Sequence, residues 1–192
     1  MTGVSHAQPE LDRKRLEIIK EAVPGTSRIA FLSSASASHP VSAEQRQGLD
    51  DAGRLLGVRI DHVDLGDLAQ LDTTLAAMAR ARVQAVLVQD SAVFAARVDQ
   101  VAALALKHRL ATISQAPRFA ERGGLLQYGA DVNAMFRRSA TLVDKVLRGA
   151  RPAELPVELP TNVELIVNLR TAKAIGITLP PATLTRASRV IE

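Results

Sequence analysis

Between Arg28 and Tyr128 the chain alternates short apolar runs with stretches of helical period, and few architectures accommodate that rhythm. Arg28-Ile-Ala-Phe-Leu32, Gln84-Ala-Val-Leu-Val-Gln89, Ala111-Thr-Ile-Ser114 and Leu125-Leu-Gln-Tyr128 are apolar runs of the kind parallel strands show when both faces are covered. Val58 to Val63 instead interleaves its apolar residues with Arg59, Asp61 and His62, which predicts a less buried strand. Helices are predicted between the strands: one opening at Ser42, with capping-box spacing to Gln45, and closing at Gly57; one over 71–82; one over 93–108. About five strands joined by helices call for right-handed crossovers, so the expected fold class is α/β, a doubly wound parallel sheet.

The flanks read differently. From Pro9, the residues Leu11, Leu16, Ile18, Ile19 and Ala22 share roughly one helical face, which Pro24-Gly25 ends. After Tyr128, Asp131 is placed to cap a long helix carrying Met135, Phe136, Ala140, Val143, Val146 and Leu147, and Gly149 closes it. Pro152, Pro156 and Pro160 forbid helix in the next passage, because each removes a donor and fixes φ. A strand over 164–168, a short helix over 169–175 stopped by Gly176, and a last helix over 182–190 complete the prediction. The expected division is 1–128 for the sheet-bearing unit and 129–192 for a crossover helix, a Pro-rich passage, and a final strand and helices.

In doubly wound sheets ligands collect beyond the carboxyl ends of the strands. That rule selects Ser33, Ser34 and Ser36 after the first strand, Asp90 and Ser91 after the third, Gln115 after the fourth, and Tyr128 on the fifth. The hydroxyls and backbone amides of 33–38 suit a small ligand, and the same loop also reads as a plain polar connection. A lone carboxylate at Asp90 suits an amine; the alternative is a helix N-cap. Ser33 or Ser34, His39 and Asp90 supply the residue types of a hydrolytic triad without the Gly-x-Ser-x-Gly elbow that exposes such a nucleophile. No glycine-rich phosphate loop follows any strand, and histidines 6, 39, 62 and 108 share no ligand spacing. With no cysteine in the chain, no catalytic residue, cofactor or metal is assigned.

A net charge of +4 and a pI near 10.0 invite a nucleic-acid reading. The basic residues are scattered, however, and aromatics make up only 3% of the chain, so stacking platforms are lacking and no nucleic-acid partner is expected. The same scarcity leaves Ala, Leu and Val to fill the core. The first fifteen residues hold no apolar signal-type segment, and no window approaches the ~20 apolar residues of a membrane span.

Tyr128-Gly129-Ala130-Asp131, Phe136-Arg137-Arg138, the run Val143 to Pro152, Leu155-Pro156-Val157-Glu158 and the run Leu169 to Ile177 resemble motifs of ABC-transporter substrate-binding proteins. Thr2-Gly3-Val4-Ser5, Lys14-Arg15-Leu16-Glu17 and Lys20-Glu21-Ala22-Val23-Pro24 match the same family at the front. The resemblance implies a type I periplasmic-binding-protein fold, two α/β lobes joined by three crossovers with a small-molecule solute held between them. It also implies that Thr2 to Ser5 lies near the first crossover, so the chain is expected to be a truncated copy lacking the amino-terminal lobe. The helix near 131–148 would then lack the sheet it covers in relatives, and self-association through its apolar face is expected.

The resemblance further implies a solute such as an amino acid, with Asp90 taking its ammonium group, and an ABC permease as partner in intact relatives. It implies a periplasmic or extracytoplasmic location for the family, and a cytoplasmic one if Met1 is the true start, since no signal peptide is present. The loop Ser33 to Pro40 lacks the Asn that relatives carry there, which leaves solute identity open. A cytoplasmic ligand-sensing or interaction module derived from the same fold is the alternative.

Overall fold

Ile29 and Phe31 belong to one apolar layer while Ala30 and Leu32, their neighbours in sequence, belong to another, as the two-residue period of a strand buried on both faces requires. The computed structural model describes residues 2–5, 8–35, 40–160 and 162–192. In chain order the elements are β1 (Gly3–Val4), α1 (Gln8–Ala22), β2 (Arg28–Ser34), α2 (Ala43–Leu56), β3 (Arg59–Leu65), a 3-10 turn (Leu68–Gln70) and α3 (Leu71–Arg80). There follow β4 (Ala85–Val88), α4 (Ala92–Ala95), α5 (Val98–Lys107), β5 (Ala111–Ser114), β6 (Leu126–Ala130) and α6 (Val132–Leu147). The chain ends with β7 (Val157–Glu158), β8 (Val163–Asn168), α7 (Leu169–Ile175), α8 (Pro181–Thr185) and β9 (Arg189–Ile191).

Among the described residues seven strands form one sheet in the order β3-β2-β4-β5-β6-β8-β9, parallel throughout except where β8 runs against β6. One face carries α1, α2, α7 and α8, whose Leu16, Ile19, Leu49 and Ala172 pack on Ile29, Phe31, Leu87 and Ile113. The other carries α3, α4 and α5, whose Leu75, Phe94 and Val101 pack on Ala30, Leu32, Val86 and Val88. The predicted doubly wound α/β class is what forms. β3 is the less buried edge strand that its alternation indicates.

Several boundaries follow from caps. Ser42 Oγ accepts from Gln45 N at 3.1 Å and Gly57 closes α2 in the left-handed region, φ 65°. Asp131 caps α6 through Ala134 N at 3.0 Å, and Asn168 caps α7 through Thr171 N at 2.9 Å. Two predicted helices are corrected. The helix expected over 93–108 is broken into α4 and α5, because Ser91 caps a single turn that ends once Phe94 is buried, and the chain restarts at Val98. The helix expected over 182–190 stops at Thr185. Its remainder becomes β9, drawn onto the open edge of β8 by Ser188 N donating to Leu165 O at 2.8 Å.

One part stands away from the sheet. β1 and β7 pair as a separate parallel ribbon, and α6 packs against β1. Among its described residues α6 buries Leu142, while Phe136, Val143 and Leu147 are 71%, 56% and 81% exposed. Among the described residues no helix is long and apolar enough to cross a membrane.

Candidate functional site

The strand order sets where a ligand can sit. β2 leads into α2 on one face and β4 into α4 and α5 on the other, so the connections diverge between β2 and β4 and open a crevice at their carboxyl ends. Register pairs Leu32 with Val88, which carries Ser34 and Asp90 together to the rim of that crevice. Gln89 ties the two strand ends together, its N–H donating to Leu32 O and its Oε1 accepting from Ser34 N, both at 2.9 Å.

α1 runs against the strands, so its first turns lie over the same edge. Asp12 and Arg15 share a stripe of that helix with the buried Ile19 and Ala22, and they are themselves 2% and 0% exposed. Arg15 reaches three partners: Nη1 donates to Asp12 Oδ1 at 2.5 Å, Nε to the Tyr128 carbonyl at 2.8 Å, and Nη2 to Gln115 Oε1. The second Asp12 oxygen accepts from Gln45 Nε2 at 2.8 Å, so the glutamine of the Ser42 capping sequence serves α1. One buried ion pair thereby ties α1, α2, the end of β5 and β6 together.

Burial pushes the Asp12 carboxyl above its ordinary range against the opposing pull of Arg15 and Gln45, and Asp90's charge adds to the rise. Burial likewise lowers the Arg15 guanidinium, opposed first by Asp12 and then by Asp90. The three groups are thus within electrostatic reach of one another.

The candidates read from the sequence separate here. Ser34 and Asp90 are brought to the same edge by the β2–β4 register, Gln115 and the Tyr128 carbonyl meet Arg15, and Asp90 lies within electrostatic reach of it. Ser33 is fully buried and donates its hydroxyl to Asp64, which Arg46 Nη2 also engages at 2.7 and 2.9 Å. That hydroxyl, then Arg46, holds the Asp64 carboxyl below its usual range. Ser91 is the cap of α4, accepting from Phe94 N at 3.3 Å, so the capping role considered for Asp90 belongs to its neighbour. Ser36 and His39 lie outside the described residues. His108, at the end of α5, meets Asp72 of α3 at 2.6 Å. Among the described residues no group of three His, Asp or Glu side chains could hold a metal ion.

Asp12, Arg15, Gln45 and Gln89 were not singled out by sequence. The first two carried a signal: charged residues at 12 and 15 continue the stripe of 19 and 22, and a charge inside an apolar stripe points to a buried pair.

A family model described as ABC transporter substrate binding protein matches residues 1–191. A structure of an ABC domain in complex with L-Trp from Streptococcus pneumonia superposes with TM-score 0.82 at 24% identity, over 99% of this chain and 64% of that one. A conserved domain protein from Vibrio cholerae gives 0.84 at 21% identity, covering 98% and 62%. A ligand-free, open substrate binding protein with adhesive properties from Clostridium difficile gives 0.72 at 19% identity, covering 99% and 62%. The chain therefore spans less than two thirds of the length of these structures. No curated protein matches it.

Proposed function

The chain belongs to the ABC transporter substrate binding protein family, and from that premise we propose that its carboxyl edge is one wall of a solute cleft in the extracytoplasmic binding component of an ABC importer. The observation that carries the reading is the convergence of Asp90, Gln115 and the Tyr128 carbonyl around the buried Arg15 at the sheet's point of divergence. The task is binding rather than catalysis, and the solute class is an amino acid, with Asp90 on its ammonium group. The Streptococcus relative was solved with L-Trp, which makes that amino acid the first probe.

About a third of each relative's length lies outside the match, and in this reading that additional segment supplies the opposite wall. Closure over a solute divides its contacts between two walls. If this wall holds half of a micromolar affinity, ~4 kcal/mol remains, which is millimolar binding. The exposed face of α6 is in the same reading a docking surface, and self-association through Phe136 and Leu147 is its consequence when nothing else covers it.

Residue-resolved NMR of the chain titrated with L-tryptophan tests the site. Saturable shifts on the order of millimolar are expected at Gln89 to Ser91, Gln115 and Tyr128, with Asp90→Asn removing them. Micromolar affinity for the chain by itself would refute the one-wall reading, and shifts confined to other surfaces would refute the site.

A further inference from the structure

Arg15 decides which end of the Gln115 side chain meets the cleft. A guanidinium only donates, so the amide atom it engages is Oε1. Gln115 Nε2 has no partner among the described residues and is not a buried orphan, so its two donors face solvent. Gln115 is also fixed from the side of β6: a Cβ on Gly129 would stand 2.7 Å from Gln115 Cβ and 3.3 Å from its Cα, so the absence of a side chain at 129 lets it lie there. Arg15, the residue type usually suited to a carboxylate, cannot serve a ligand itself, being fully buried with its three nitrogens engaged.

We infer that Gln115 Nε2 is the donor that takes the solute's carboxylate, with Arg15 as the positioning residue that presents it. Resting on the solute-binding reading above, this makes the edge a reader of zwitterions: Asp90 answers the ammonium group and Gln115 the carboxylate. The division also explains why a buried cation lies beneath this edge. It holds an amide in a donating orientation without offering a free positive group to the ligand.

Three probes separate the parts: L-tryptophan, tryptamine, which lacks the carboxylate, and indole-3-propionate, which lacks the amine. In NMR titrations of the wild-type chain, the Gln115 side-chain amide signals should move with L-tryptophan and indole-3-propionate and stay in place with tryptamine. Gln115→Glu keeps an acceptor for Arg15 and replaces the outward donor. It should weaken the two carboxylate probes about tenfold or more and leave tryptamine at least as tight. Gly129→Ala, which crowds Gln115, should weaken the same two. Equal weakening of all three probes by Gln115→Glu, or of none, would overturn the assignment, as would amide signals of Gln115 that ignore indole-3-propionate while Asp90 and Tyr128 respond. If no probe moves any signal near Asp90, Gln115 and Tyr128 in the wild-type chain, the site reading itself has failed and this assignment falls with it.

Discussion

Removing one member of the Asp12–Arg15 pair should destabilise the chain far more than removing both. The pair is 2% and 0% exposed and bridged at 2.5 Å, so either single loss strands a charge away from water. Such a loss typically costs about 3–5 kcal/mol, a large part of the roughly 5–15 kcal/mol that holds a domain together. At this length each kcal/mol moves the melting temperature by about 2–4 °C, so Asp12→Leu or Arg15→Met should lower it by roughly 6–20 °C. The double variant strands no charge. Gln45 and Gln115 are half-buried and can turn to water, which leaves the Tyr128 carbonyl as the main unpaired group, at about 1–3 kcal/mol.

Urea unfolding of the four proteins followed by circular dichroism closes the cycle. Strong non-additivity is expected, with the double variant more stable than either single. Acid provides a second signature: Arg15→Met leaves a carboxyl already pushed upward by burial, which takes up a proton as pH falls, so its cost shrinks, while that of Asp12→Leu does not. Additive losses within about 0.5 kcal/mol would refute the argument that the pair acts as a buried unit.

Two further outcomes follow from surfaces. Sedimentation of the wild-type chain should show mass rising with concentration, and Phe136→Ser with Leu147→Ser should return it to the monomer with its melt changed by no more than about 0.5 kcal/mol, since both side chains are exposed; a wild-type monomer at every concentration would refute this. Asp64 and Glu17 have depressed folded-state values, held first by Ser33 and Lys14 respectively, so their stabilisation is present above the ordinary carboxylate range and lost as pH falls through it. Asp12 has the opposite sign, its contribution being present at low pH and lost as pH rises through its raised value. Urea midpoints between roughly pH 5 and 3 should therefore fall less steeply in Ser33→Ala with Arg46→Met, and more steeply once Asp12 and Arg15 are both replaced; unchanged slopes would refute the attribution.

What the sequence disclosed depended on whether a residue's role was local. Caps at Ser42, Asp131 and Gly57 act within four residues and were read correctly, as were apolar runs whose burial both faces share. The break at Ala96 was invisible because Phe94, Val98, Val101 and Ala105 keep helical spacing across it. β9 was hidden because its pairing depends on the open edge of β8, and Pro180-Pro181 promises a helix without saying where it ends. At the site, the strand-end rule located Asp90, Gln115 and Tyr128, which the topology brings together. It could not see Arg15, which arrives from a helix 100 residues away in sequence from the Gln115 it holds, or Asp12, which pairs with Arg15 and with Gln45 of α2.

The placement of α6 rests on little, and that has a structural logic. The chain crosses between the ribbon and the main sheet three times, after β1, after β6 and after β7. The ribbon has two residues per strand, fastened by Ser5 N to Glu158 O and Thr2 Oγ1 to Pro156 O, both at 2.8 Å, and by the Arg138–Glu158 ion pair. Strands this short contribute little independent stability, and α6 adds one buried side chain, Leu142, so this unit should open at a lower free energy than the seven-stranded sheet. Pro156 and Pro160 flank β7 and lack the N–H that would let the passage extend its pairing, which keeps the ribbon short. A seven-stranded sheet joined through a weakly held ribbon to an apolar helix face can let that helix change its angle without disturbing the carboxyl edge of the sheet.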